Sequence, residues 1–170
     1  MRYTNTVLIL AVVLLAQTAG AQEPQPRVRS MAGPRLGVTY LGSYRPPNLL
    51  TGKKLSSVMT QFGWHSEQAV FPFNGGPTLV VEETLLLGGV EQRALVPSVT
   101  FLVGVRARSG LEFGLGPNLA LDGAALAFAG GKSFNLGGVS IPVDLAVVTS
   151  QGGVRTTLLL GYAVQTPNEE

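Results

Sequence analysis

The stretch Leu95–Leu115, LVPSVTFLVGVRARSGLEFGL, decides the fold. Leu95, Pro97, Val99, Phe101, Val103, Val105 and Ala107 fall on one side of a two-residue repeat. Val96, Ser98, Thr100, Leu102, Gly104 and Arg106 fall on the other. Alternation this long, rich in β-branched and aromatic residues, marks a β-strand, because successive side chains of a pleated chain point to opposite faces. Arg108-Ser109-Gly110 then breaks the run, and Leu111, Phe113 and Leu115 alternate with Glu112, Gly114 and Gly116. A three-residue loop sets the register of this hairpin: Val105 opposite Phe113, Arg106 opposite Glu112, Gly104 opposite Gly114.

The same period runs outward in both directions. Earlier strands are predicted at Arg35–Gly42, Val58–Phe73 and Thr78–Leu87, and later ones at Ala124–Phe134, Val139–Val148 and Val154–Val164. With the central hairpin that makes eight strands and no convincing helix; Leu49–Ser57 has room for one helical turn. Tight, Gly-bearing turns at 74–76, 108–110 and 135–138 alternate with connections at 43–57, 88–94, 119–123 and 149–153. In an up-and-down barrel all three tight turns then lie at one end, together with both termini. The residues before Gln22 fall outside the fold: a basic start at Arg2, an apolar run Val7–Ala16 and an Ala19-Gly20-Ala21 site have the anatomy of a secretory signal peptide cleaved near Ala21. Residues 22–33 read as a flexible lead-in, 34–164 as the barrel domain, and 165–170 as a polar tail.

Composition narrows the class. Charged residues make up only 13% of the 170 residues, about half the share in ordinary soluble domains, while 45% are apolar and 22 are Gly. The chain has no Cys, which excludes disulfides, a thiol nucleophile and Cys-ligated zinc. A net charge of +2 gives no footprint for nucleic acid.

Which face is outside follows from the non-apolar face. Ser98, Gly104, Arg106, Glu112, Gly114, Gly116, Ser140, Asp144 and Gly161 make a surface of small residues with few charges. Water has no need of so many glycines, which weaken strands, whereas side chains converging in a narrow eight-stranded lumen do. Its charges, Arg106, Glu112, Asp144 and Arg155, sum to zero, as a dry lumen requires. The fold predicted is an all-β, eight-stranded antiparallel up-and-down transmembrane β-barrel. The alternative is a secreted soluble lipocalin-like barrel carrying an apolar ligand.

With strand count, alternation, turn asymmetry and segments such as GLEFGLGPNL (Gly110–Leu119) and TTLLLGYAV (Thr156–Val164), residues 35–164 resemble the small eight-stranded outer-membrane β-barrel proteins of Gram-negative bacteria. The resemblance implies residence in the outer membrane, a porin-like architecture, contact with outer-membrane lipid, and delivery by the barrel-assembly machinery. It implies a structural, envelope-maintenance or interaction role. The tail QTPNEE departs from it, since such barrels usually stop on an aromatic residue.

Chemistry-bearing motifs are few. His65-Ser66-Glu67 holds the only His, but strand geometry sends Ser66 to the face opposite the other two, so a lipid-acting hydrolase has little support. Gly130-Gly131-Lys132-Ser133 ends like a phosphate-binding loop, yet Leu126 stands where its first Gly belongs and no helix follows. No cofactor motif is present, and Glu82, Glu83, Glu91 and Asp122 do not make a metal set by spacing. Arg106 and Glu112 are expected to form a lumen ion pair, with His65, Glu67, Asp144 and Arg155 in a lumen polar network. Arg45, Lys53 and Lys54 in the first long loop are candidates to meet lipopolysaccharide phosphates. Glu82-Glu83 breaks the apolar run Leu79–Leu87, and a β-bulge there would turn both from lipid.

Overall fold

The computed structural model describes residues 30–42, 55–136, 139–150 and 152–166. Its strands are β1 (Ser30–Tyr40), β2 (Val58–Pro72), β3 (Thr78–Gly88), β4 (Val96–Arg106), β5 (Leu111–Ala120), β6 (Gly123–Leu136), β7 (Val139–Ser150), β8 (Gly153–Gly161) and β9 (Ala163–Thr166). β9 resumes β8 after a break at Tyr162, so the wall has eight staves. Each stave pairs antiparallel with the next, and β1 closes the sheet against β2 on one side and β8 and β9 on the other. Closure leaves no unpaired edge, the condition for placing strands in hydrocarbon.

The central hairpin has the expected register: Val105 faces Phe113, Arg106 faces Glu112 and Gly104 faces Gly114. Its loop closes with the Gly110 N–H donating to the Ala107 carbonyl at 3.0 Å, and Gly110 takes a φ of 82°, which glycine alone adopts without steric cost.

Four expectations need correction. β1 starts at Ser30, four residues inside the stretch assigned to the lead-in. Met31 and Ala32 pair with Glu67 and Ser66 across one seam and with Gln165 and Val164 across the other. The strand is therefore set by closure, a contact local sequence does not carry. β5–β6 and β7–β8 are separated by only two residues each, with Gly123 and Gly153 at positive φ completing the turns. The longer connections at the loop end are thus reduced to 41–57 and 89–95. Of the predicted turn at Leu49–Ser57, residues 49–54 lie outside the described residues and 55–57 are not helical. The helical turn that is described is a 3-10 turn at Val90–Gln92. Finally, β3 runs through Glu82-Glu83 without a bulge; the register shift lies at Ala69/Phe71 on β2, where Val70 and Phe71 both face out.

The polarity is inside out. Leu36, Val103, Phe113, Leu115, Leu145 and Leu158 are each half exposed or nearly so on the outer face, while Arg35, Thr39, His65, Glu67, Glu112, Asp144 and Arg155 are buried inside. Phe71, Phe73, Phe113, Phe134 and Tyr162 face out towards the tight-turn end, Phe71 and Phe73 meeting edge to face at 5.2 Å. Glu82 points into the lumen, 5% exposed, and Glu83 points to the outer face in mid-strand. An acidic side chain there is unfavourable, though less so than a basic one. Glu83→Leu should therefore stabilise the barrel in vesicles by about 1 kcal/mol, whereas Glu82→Leu should destabilise it. Denaturant unfolding of both variants checks this; equal effects would contradict the assigned faces.

Candidate functional site: the lumen

Small residues on the inner wall make room for the long polar ones. Two-residue alternation puts Gly104, Gly114, Gly131 and Gly161 on the same face as Arg106, Glu112 and Asp144. A Cβ on Gly104 would come within 3.2 Å of Glu82 Oε1, and one on Gly131 within 3.0 Å of Glu112 Oε1. At Gly161 it would meet Arg35 Cδ at 2.8 Å. The Gly-rich face read from the sequence is thus the space in which the charged side chains lie.

Arg106 is the centre of the first cluster. Its Nε donates to Glu67 Oε1 at 2.8 Å, its Nη1 to Ser133 Oγ at 2.9 Å, and its Nη2 contacts both Glu67 and Glu112. One planar guanidinium on β4 thus serves two carboxylates and a hydroxyl from three other strands. Arg35 forms a second pair, its Nε donating to Asp144 Oδ2 at 3.3 Å. Towards the loop end, Arg155 donates to Asn118 and lies 3.9 Å from Asp122, while Asn118 donates to Thr100 Oγ1 at 2.7 Å. Thr39 bridges Gln61 and Thr157 at 2.7 and 2.8 Å. Leu41, Leu55, Met59, Ala94 and Val96 then form a buried apolar cluster beneath the first two loops at that end. Below the 3-10 turn, Thr60 donates its backbone N–H to Glu91 at 3.0 Å and its hydroxyl to the same carboxylate. Partial burial raises the Glu91 carboxyl, but these bonds and one from Gln92 outweigh it and hold the group below its ordinary range.

The structure brings Arg106 and Glu112 together, and adds Glu67 to the same guanidinium. It separates Asp144 from Arg155, which belong to different clusters. His65 bonds Thr84 Oγ1 at 2.9 Å rather than Glu67. Ser66 faces outward between Met31-paired Glu67 and His65, so the three side chains cannot act as one relay. Arg45, Lys53 and Lys54 lie outside the described residues. Arg35 and Asn118 were not singled out from the sequence, and Glu82 and Ser133 were noted there without a place in the lumen network. The signal for Arg35 was its place in the alternation Gly33, Arg35, Gly37, Thr39. Glu67, Glu82 and Glu112 each bring a carboxylate oxygen within 4.8 Å of the others, the one group among the described residues with the makings of a metal set.

No protein-family model matches the sequence, and no curated protein matches it. Solved structures that are similar include the crystal structure of Ail, the attachment invasion locus protein of Yersinia pestis, in complex with the heparin analogue sucrose octasulfate (15% identity, 81% of this chain and 99% of that chain, TM-score 0.48), and the crystal structure of the same protein alone (14% identity, the same coverage, TM-score 0.43).

Arg106→Ala should strand two buried carboxylates and destabilise the barrel by about 3–5 kcal/mol, the range for breaking a buried pair. Because Glu67 shares the guanidinium, Arg106→Ala with Glu112→Ala should recover only part of that loss. Adding Glu67→Gln should recover more. Additive losses in these mutant cycles, measured by denaturant unfolding, would show that the three side chains do not interact. A closed antiparallel barrel of eight staves, apolar outside and polar within, is the architecture of a small outer-membrane-type β-barrel.

Proposed function

We propose that this protein is an integral outer-membrane barrel with a closed lumen, acting in envelope structure or as an interaction module rather than in conduction or catalysis. The observation that carries this is the reversal of polarity on every stave, with ion pairs filling the bore. A soluble barrel carrying an apolar ligand would need the opposite arrangement, since its cavity would be lined by the residues that here face out. Lumen side chains are bonded in separate clusters, one around Arg106 and one around Arg155, and the apolar cluster around Met59 lies under the loops. The buried cavity among His65, Glu82, Glu112 and Asp144 measures about 50 Å³, room for a few water molecules and not a channel. In this proposal Arg45, Lys53 and Lys54 meet lipopolysaccharide phosphates from the first loop, and outer-membrane lipid is the standing partner.

Fractionation and electrical recording test it together. The mature protein should sediment with the outer membrane, resist carbonate extraction and migrate differently on gels before and after heating. Reconstituted in planar bilayers, it should give no steady conductance steps. Recovery as a soluble periplasmic monomer, or a sustained open pore, would overturn the proposal.

A further inference from the structure

Four carboxylates, Glu67, Glu82, Glu112 and Asp144, meet in the middle of the lumen with two guanidiniums, Arg35 and Arg106. If all six are ionised, the set carries two uncompensated negative charges away from water, an arrangement strongly unfavourable in a low-dielectric interior. We propose that Glu67, Glu82 and Glu112, with Asp144 beside them, bind one oxygen-ligated divalent cation of the Ca²⁺ class, which brings the set to neutrality.

Three observations beyond the acidic cluster point to a ligand. Glu82 is 5% exposed, and its Oε1 has no hydrogen-bond partner. Asp144 Oδ1 is also buried without one, and it shares the space over Gly131 with Glu112 Oε1. Glu82, Glu112 and Asp144 line the same small cavity, with room for an ion and a water. The spacing suits a cation: oxygens 4.8 Å apart or closer can both touch an ion held at about 2.4 Å from each. Protons on the carboxyls would be the other way to remove charge. No described donor reaches Glu82 Oε1, which leaves that atom to face a cation or to carry a proton, and refolding with and without calcium separates the two. Arg106 holds both oxygens of Glu67 and one of Glu112, which fixes these two carboxylates in place beside Glu82 and Asp144.

The lumen is closed, so the ion enters as the barrel forms. The full mature protein is refolded in detergent micelles with CaCl₂ or with EDTA, freed of excess ion, and assayed by elemental analysis and thermal unfolding. About one calcium per barrel is expected, with a higher unfolding temperature in the calcium sample. Glu82→Gln, which keeps the shape and removes one charge, should weaken calcium binding roughly tenfold or more and abolish the calcium-dependent shift. Its gel mobility reports whether it folds. The outward-facing Glu83→Gln should bind as the wild type does. Absence of calcium from the wild-type barrel, with the same unfolding in CaCl₂ and EDTA, would overturn the site without recourse to any variant. Retention of calcium at full affinity by folded Glu82→Gln would overturn it equally.

Discussion

Backbone amides and carbonyls in hydrocarbon find no water, so each must be paired within the protein, and a sheet can meet that demand only by closing on itself. The seam formed by β1 against β8 and β9 is therefore the contact on which the other features rest. Once the sheet is closed, the two-residue period ties every side chain on a stave to the bore or to lipid. Leu158 and Leu160 face out because Thr157 and Leu159 face in, and a slip of one residue at the seam would send Arg155 to the acyl chains. Closure also recruits Ser30–Gly33, which have little strand character of their own.

The narrow bore governs the chemistry inside. Eight staves leave room for long side chains only where the neighbouring wall is bare, which accounts for Gly104 and Gly114 beside Glu82 and Gly131 beside Asp144. Buried charges contribute little net stability when paired and cost much when stranded. Their grouping around Arg106 thus specifies one arrangement of the staves more than it strengthens the barrel. Glu83 is the exception to the apolar exterior, a carboxylate in mid-strand on the lipid face, flanked by Ser66 and Phe101 on the neighbouring strands. Nothing in the structure explains its presence there.

The fold was legible wherever it depended on local period. Leu95–Ala107 alternates without interruption, and the three-residue loop at 108–110 fixes the pairing of Arg106 with Glu112 by short-range geometry. What depended on distant partners was not legible. The start of β1 is set by strands more than thirty residues away in sequence, and the kink at Val70 by the pairing of β2 with β3. Alternation placed Glu67 and Arg106 on the inner face, but their meeting across 39 positions comes from the way the staves pack around the bore. Glu82 and Glu83 could not be told apart because both sit in an apolar run; only the register with Leu102 and Phe101 separates them.

The inside-out polarity is tested most directly by accessibility at two neighbouring positions of β4. Spin labels are attached to Val103→Cys and, separately, to Thr100→Cys in barrels reconstituted in lipid. Val103 stands on the outer face at 56% exposure, and Thr100 lies inward, bonded to Asn118. The account predicts that the label at 103 is relaxed by oxygen dissolved in the acyl chains and shielded from a water-soluble paramagnetic agent, while the label at 100 is shielded from both. A label at 100 open to the aqueous agent, with the one at 103 closed to oxygen, would contradict it and make the molecule a soluble barrel with an apolar interior.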